Sequence, residues 1–175
     1  MARKLEIAAN VAIIVVAVIA SIVLVRNYMA RGAVKMTREQ IATGNKLPMP
    51  GVEWQANGNT VVLALSTNCH YCSESAPFYK RLTAELSRRR AHLMIVMPQS
   101  IEEGRKYVEG LGLQAADVRQ VPLRALKIRG TPTLAIVDGD GVVRNVWEGM
   151  LQPEREQEVM EAVRDVPAAA AVAQR

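Results

Sequence analysis

Hydrophobic and polar positions divide the chain into an apolar front, a polar basic stretch, and a longer part where short apolar runs alternate with periodic ones. From Leu5 to Val25 only Glu6, Asn10 and Ser21 interrupt the apolar run, and Val11 to Ala20 is unbroken. About 20 such residues cross a bilayer as a helix. A cleaved leader instead has an apolar core of ~7–15 residues and ends at a small-x-small site. Here Val25 is followed by Arg26-Asn27-Tyr28. Residues 1–4 therefore read as an N-terminal tail, 5–25 as an uncleaved transmembrane anchor, and the aperiodic basic stretch 26–46 as a juxtamembrane linker.

Beyond it, Leu47-Pro-Met-Pro-Gly51 is turn-rich and marks the edge of a domain over 47–166. Asn57-Gly58-Asn59 turns into a strand at 60–66. Phe78, Leu82 and Leu86 repeat every four residues and predict a helix over 75–90, kinked at Pro77. Leu93–Met97, a continuous apolar run ended by Pro98, suits a strand buried on both faces. Ser100 with Glu103 forms a capping-box pattern opening a helix over 101–110. The pattern weakens over 113–129, where a short helix at 123–128 is the one element expected. Thr133–Val137 and Val142–Trp147 flank Asp138-Gly-Asp-Gly141 as a hairpin. The same tetrapeptide could open a calcium loop, but Gly149 stands where the closing acid belongs. Pro153 opens a last helix over 153–165, and the Ala-rich tail 167–175 is expected to be disordered. The order β, α, β, α, hairpin, α predicts an α/β fold, a small mixed sheet with helices on both faces, preceded by one transmembrane helix.

The net charge of +5 invites a nucleic-acid reading, so its location matters. Segment 1–46 carries seven basic and two acidic residues, while the rest balances at fifteen of each. The excess flanks the apolar span, where anionic headgroups attract it, and no nucleic-acid footprint is left on the domain. Basic residues on the two sides of the span are nearly balanced, so charge alone does not orient it.

Cys69-His70-Tyr71-Cys72 holds the only two cysteines, between an apolar strand and a helix. A helix start offers free N–H groups and a partial positive charge that favour a thiolate. Zinc wants four ligands, and the two histidines, His70 and His92, complete no such set. A structural disulfide over so short a loop would constrain the unfolded chain little. Redox use of Cys69 and Cys72 is the expectation, with His70 and Tyr71 between them as tuning positions and no metal or other cofactor implied. An imidazolium on His70 would stabilise a Cys69 thiolate; a His70 turned to solvent would do nothing.

Cys69-x-x-Cys72 after an apolar strand, Pro77, and Lys127-Ile-Arg-Gly-Thr-Pro-Thr-Leu-Ala-Ile-Val-Asp138 with Gly141 and Gly149 together resemble the thioredoxin superfamily over 47–166. With the anchor and the Leu47-Pro-x-Pro lead-in, the chain is similar to membrane-tethered, TlpA-like reductases. The resemblance implies a cis Thr131–Pro132 bond facing the thiols and a Thr131 backbone that pairs with substrate. It implies thiol–disulfide exchange with protein disulfides or dithiols, an upstream electron donor, and a domain outside the cytoplasm. Two positions depart from the family: Asn68 replaces its aromatic residue, and Leu63 stands where many members carry a buried acid. No base for Cys72 is therefore assigned; Glu74, two positions on, does not face it on a helix. Two alternatives remain. Ser66-x-x-Cys69 matches half of a peroxiredoxin motif, whose proline position is Val62. Two thiolates could also grip Cu(I).

Overall fold

The computed structural model describes Ile19, Ser21 and residues 40–114 and 117–165. Apart from Ile19 and Ser21, the anchor expected at 5–25 lies outside the described residues, as does the tail 167–175. Among the described residues no helix is long and apolar enough to cross a membrane.

Five strands form one sheet in the order β3-β2-β1-β4-β5, with β1 Thr60–Ala64, β2 His92–Met97, β3 Asp117–Gln120, β4 Thr133–Val137 and β5 Val143–Glu148. β1 pairs parallel to β2 and β2 parallel to β3, whereas β1–β4 and β4–β5 are antiparallel. The register aligns one apolar row across the whole sheet: Val118, Ile95, Leu63, Leu134 and Trp147 are successive partners. All five belong to one core cluster. Because side chains alternate along a strand, Val62, Met94, Val96, Ala135 and Val137 point the other way and join a second cluster.

The helices are α1 Trp54–Asn57, α2 His70–Glu74, α3 Ala76–Arg89, α4 Ile101–Gly110 and α5 Pro153–Asp165, with a 3-10 turn at Leu123–Leu126. Helical turns flank both faces, but unevenly. Leu82 and Leu86 of α3, Val108 of α4, and Val159 and Val163 of α5 all pack into the first cluster. The parallel connections β1 to β2 and β2 to β3 step the same way along the sheet, and with the right-handed crossover that such connections favour, α3 and α4 fall on one face, as their shared cluster shows. The other face is covered by Leu126 and Ile128 of the 3-10 region, by Trp54 of α1, and by Ile41, Leu47 and Met49.

Those last residues correct the expected linker boundary. Ile41 is buried, its N–H donates to the Lys127 carbonyl at 3.0 Å, and the Gly44 and Leu47 N–H groups reach Val143 and Gly141 carbonyls. The compact unit begins at Gln40 rather than at 47. The helix expected at 75–90 is observed as Ala76–Arg89, and Ser75, with ψ 0°, separates it from the short α2 that carries the cysteines. Pro77 falls in the first turn of α3, where its missing N–H leaves no helical bond unmade. The helix at 101–110 carries both hydrogen bonds of the capping box, and the last helix spans 153–165 as expected. In the hairpin turn Gly141 has φ +77°, and a Cβ there would meet Trp54 Cδ1 at 2.8 Å. Only glycine lets α1 lie against that turn.

Candidate active site

The residues after β1 turn outward at Ser66 and bring the chain to the start of α2 with Cys69 as its N-cap, in extended conformation. The Cys69 N–H donates to the Ser66 carbonyl at 3.1 Å, and the Cys72 N–H donates to Cys69 Sγ at 3.1 Å. A helix start leaves its first N–H groups without full helical bonding, and here the Cys72 N–H is shared between the Cys69 carbonyl, also at 3.1 Å, and the sulfur. Cys69 and Cys72 are joined by a disulfide with Cα atoms 5.3 Å apart. The two sulfurs have different surroundings: Cys72 is fully buried among the first core cluster, while Cys69 is half-exposed.

Of the two residues between them, Tyr71 is 55% exposed and His70 turns along the helix. His70 Nε2 lies 3.0 Å from Glu74 Oε1, one turn on, with the His70 side chain 78% exposed. His70 thus faces solvent, with the Glu74 carboxylate beside it. Glu74 is thereby engaged by His70. Leu63, 1% exposed, shares the core cluster of Cys72, so the position of the family's buried acid is apolar here.

The Thr131–Pro132 bond is cis. Pro132 is buried, and its carbonyl accepts the Gly149 N–H at 2.7 Å, while Thr133 Oγ1 donates to the Gly130 carbonyl at 2.8 Å. These bonds fix the loop on both sides of Thr131. The Thr131 N–H and C=O make no hydrogen bond among the described residues. Thr131 and Ser66 both line an open groove of about 400 Å³, with Pro98, Leu123, Arg124 and Arg129 among its other walls. Ser66 is held there by Gln99, whose Nε2 donates to the Ser66 hydroxyl at 3.2 Å.

Sequence reasoning missed three features of this region. Arg124 and Arg129 face the groove, but neither sits in a motif. Gln99 braces Ser66 from the end of β2, a contact between residues 33 apart that no local pattern signals. Tyr79, one turn beyond Ser75, is 2% exposed, and its hydroxyl has no hydrogen-bond partner. Burial pushes its phenol up to about 12; Ser75, alongside but out of hydrogen-bond geometry, only partly offsets this. The Ser75 hydroxyl instead donates to the Tyr71 carbonyl at 2.8 Å.

A strand, a buried-and-exposed cysteine pair at a helix start, and a cis-proline loop leading into an antiparallel strand define a class of fold. The thioredoxin-like domain family matches residues 52–164, and the chain belongs to it. With its Cys-x-x-Cys pair disulfide-bonded at the helix start, the protein is a thiol:disulfide oxidoreductase. Among solved structures, it is similar to a putative thiol:disulfide interchange protein DsbE from Chlorobium tepidum, with TM-score 0.56 and 15% identity over 73% of this chain and 99% of that one. A thioredoxin family thiol:disulfide interchange protein from Chlorobium tepidum TLS gives TM-score 0.52 and 18% identity over 71% and 99%. A comparison with curated protein sequences finds no match. At such identities the structural likeness speaks for the fold.

Proposed function

We propose that the protein is a membrane-anchored, TlpA-like reductase that opens disulfides in other proteins on the extracytoplasmic side of the cell membrane. The observation that carries the reading is the asymmetry of the pair, with Cys69 half-exposed at the helix start and Cys72 sealed in the core. In the reduced protein the Cys69 thiolate attacks one sulfur of a substrate disulfide. The Cys69–substrate bond forms, the substrate's own S–S bond breaks, and one substrate sulfur leaves as thiolate. Cys72 then loses its proton to solvent and attacks Cys69, forming the intramolecular disulfide and expelling the second substrate sulfur. The free N–H and C=O of Thr131 suit pairing with an extended substrate segment, as an open strand edge does. An upstream dithiol donor, reached through the membrane, returns the pair to the reduced state.

Trapping tests the reading. A Cys72→Ser variant expressed in cells is expected to accumulate covalent adducts with other proteins that dissolve on adding dithiothreitol, and the wild type is expected to reduce insulin disulfides. Peroxide consumption without insulin reduction, or stoichiometric copper binding by the reduced pair, would replace it with a peroxidase or a metal-handling role. Topology has its own test. A membrane-impermeant thiol reagent on intact cells should label the reduced protein; labelling of a reduced pool only after lysis would put the domain in the cytoplasm.

A further inference from the structure

We infer that the groove beside Thr131 selects substrates by charge, taking an extended segment with an acidic side chain close to the cysteine that Cys69 attacks. This rests on the reductase reading above and names its substrate class. The groove's floor is apolar, built from Pro98, Pro122, Leu123 and Ile128, and its charged lining consists of Arg124 and Arg129, with no acidic residue. Both arginines are exposed. The Arg124 side chain makes no ion pair or hydrogen bond among the described residues. Arg129 makes one long hydrogen bond, 3.5 Å, to Gln40 Oε1. Gln40 in turn holds Glu148, outside the groove lining, through Nε2 at 2.6 Å from both carboxylate oxygens. Most other arginines in the domain with described contacts are matched to carboxylates: Arg81 to Glu156, Arg89 to Glu85, Arg119 to Asp117 and Arg144 to Asp138. Arg124 and Arg129, by contrast, have no carboxylate partner among the described residues, and both line the groove that also contains the Thr131 backbone.

Geometry fixes where the acid should be. Arg129 is two residues from Thr131, at most ~7 Å along the chain. An extended partner rises about 3.3 Å per residue, so a segment pairing at Thr131 brings a side chain roughly two residues away to the guanidinium. A carboxylate there gains the planar, two-pronged bonding that guanidinium offers, while a lysine meets two like charges. Both arginines are in solvent, so the effect is that of exposed ion pairs: about three- to tenfold in the rate of attack at low salt, fading as salt rises.

The test uses the full chain in neutral detergent, reduced, against disulfide-linked peptides identical except for Glu, Gln or Lys two residues from the cysteine, followed by stopped-flow fluorescence. Glu is expected to react fastest and Lys slowest, the Glu-to-Lys ratio falling toward one in 0.5 M sodium chloride. In the Arg124→Glu, Arg129→Glu double variant the ranking should invert; this ratio is internal to each protein and survives a general loss of activity. Equal rates for the three peptides with wild-type protein overturn the charge selection and leave the reductase reading standing. Failure to reduce any of them overturns that reading, and the inference with it.

Discussion

The unequal surroundings of the two sulfurs predict a large difference in reactivity once the disulfide is reduced. Cys69 Sγ receives the Cys72 N–H at 3.1 Å, shared with the Cys69 carbonyl, and an unshared hydrogen bond to a charged acceptor contributes about 1.5–3 kcal/mol. At about 1.4 kcal/mol per factor of ten, a shared bond at the low end of that range multiplies the thiolate population on Cys69 by roughly ten. Cys72 has no exposed surface, and desolvation disfavours its thiolate. Alkylation depends on thiolate and on access, and both favour Cys69. Brief iodoacetamide treatment at pH 7, read by peptide mass spectrometry, should modify Cys69 at least ~100-fold faster than Cys72. The perturbation that isolates the cause is unfolding: in urea the two rates should converge, because neither the N-cap nor the burial survives. The functional counterpart is that Cys69→Ser abolishes disulfide reduction, while Cys72→Ser retains the attack and stalls with substrate attached. If Cys72 is modified first, or if the ratio in the native protein matches that in urea, the assignment of nucleophile and resolving thiol is wrong.

Two further outcomes follow from side chains around this centre and beyond it. Tyr79→Phe removes a buried hydroxyl that has no partner, so urea unfolding should show unchanged stability or a gain of up to ~1 kcal/mol; a clear loss would mean the hydroxyl is satisfied. Burial works against the Asp138 carboxylate, but the Val142 and Asp140 N–H groups and Arg144 outweigh it and hold its pKa below the usual range. With a depressed folded-state pKa, its contribution is full above the unfolded value of about 4 and is lost as pH falls through the folded value. Asp138→Ala should therefore destabilise the protein at pH 7, and the gap to wild type should narrow as pH falls below about 4; a gap unchanged by acid would assign the loss to packing.

What the sequence reveals of this fold depends on burial. The three central strands are apolar on both faces, because each is sandwiched between α3, α4 and α5 on one side and the 3-10 and N-terminal segments on the other. Such runs are readable without neighbours. β3 is not. It is an edge strand with Asp117, Arg119 and Gln120 around a single buried Val118, and charge is how edges avoid further pairing. Its polar residues are used locally: Asp117 accepts from Arg119 at 2.8 Å and meets His92 of β2 at 2.9 Å. Burial opposes the Asp117 charge, yet these partners lower its pKa. A pattern of alternating charge reads as a loop until the neighbouring strand supplies the partner. The boundary at Gln40 is hidden for the same reason, since Ile41 stands alone among polar residues and finds its core only across 86 positions of chain, at Lys127.

The site divides along a similar line. Cys69, Cys72 and Pro132 are legible because their spacing is local and each residue type permits little else: two thiols one helical turn apart, and a proline opening a strand. Their environment is set by residues far away in sequence. Leu63 illustrates this. As a letter in an apolar strand it signals only burial, yet its place in the row Ile95–Leu63–Leu134 puts a hydrocarbon in the cluster that holds Cys72. The same row that holds the sheet together thus keeps a carboxylate away from the resolving thiol. Forming the Cys72 thiolate then depends on proton exchange with solvent rather than on a neighbouring acid, and in an apolar setting that equilibrium lies toward the thiol. Cys69, with an N–H donor at its sulfur and partial exposure, carries no such restriction. In the proposed mechanism the two halves are therefore unequal: attack by Cys69 has a donor at its sulfur, and release of the product is the half that waits on removal of a proton from Cys72.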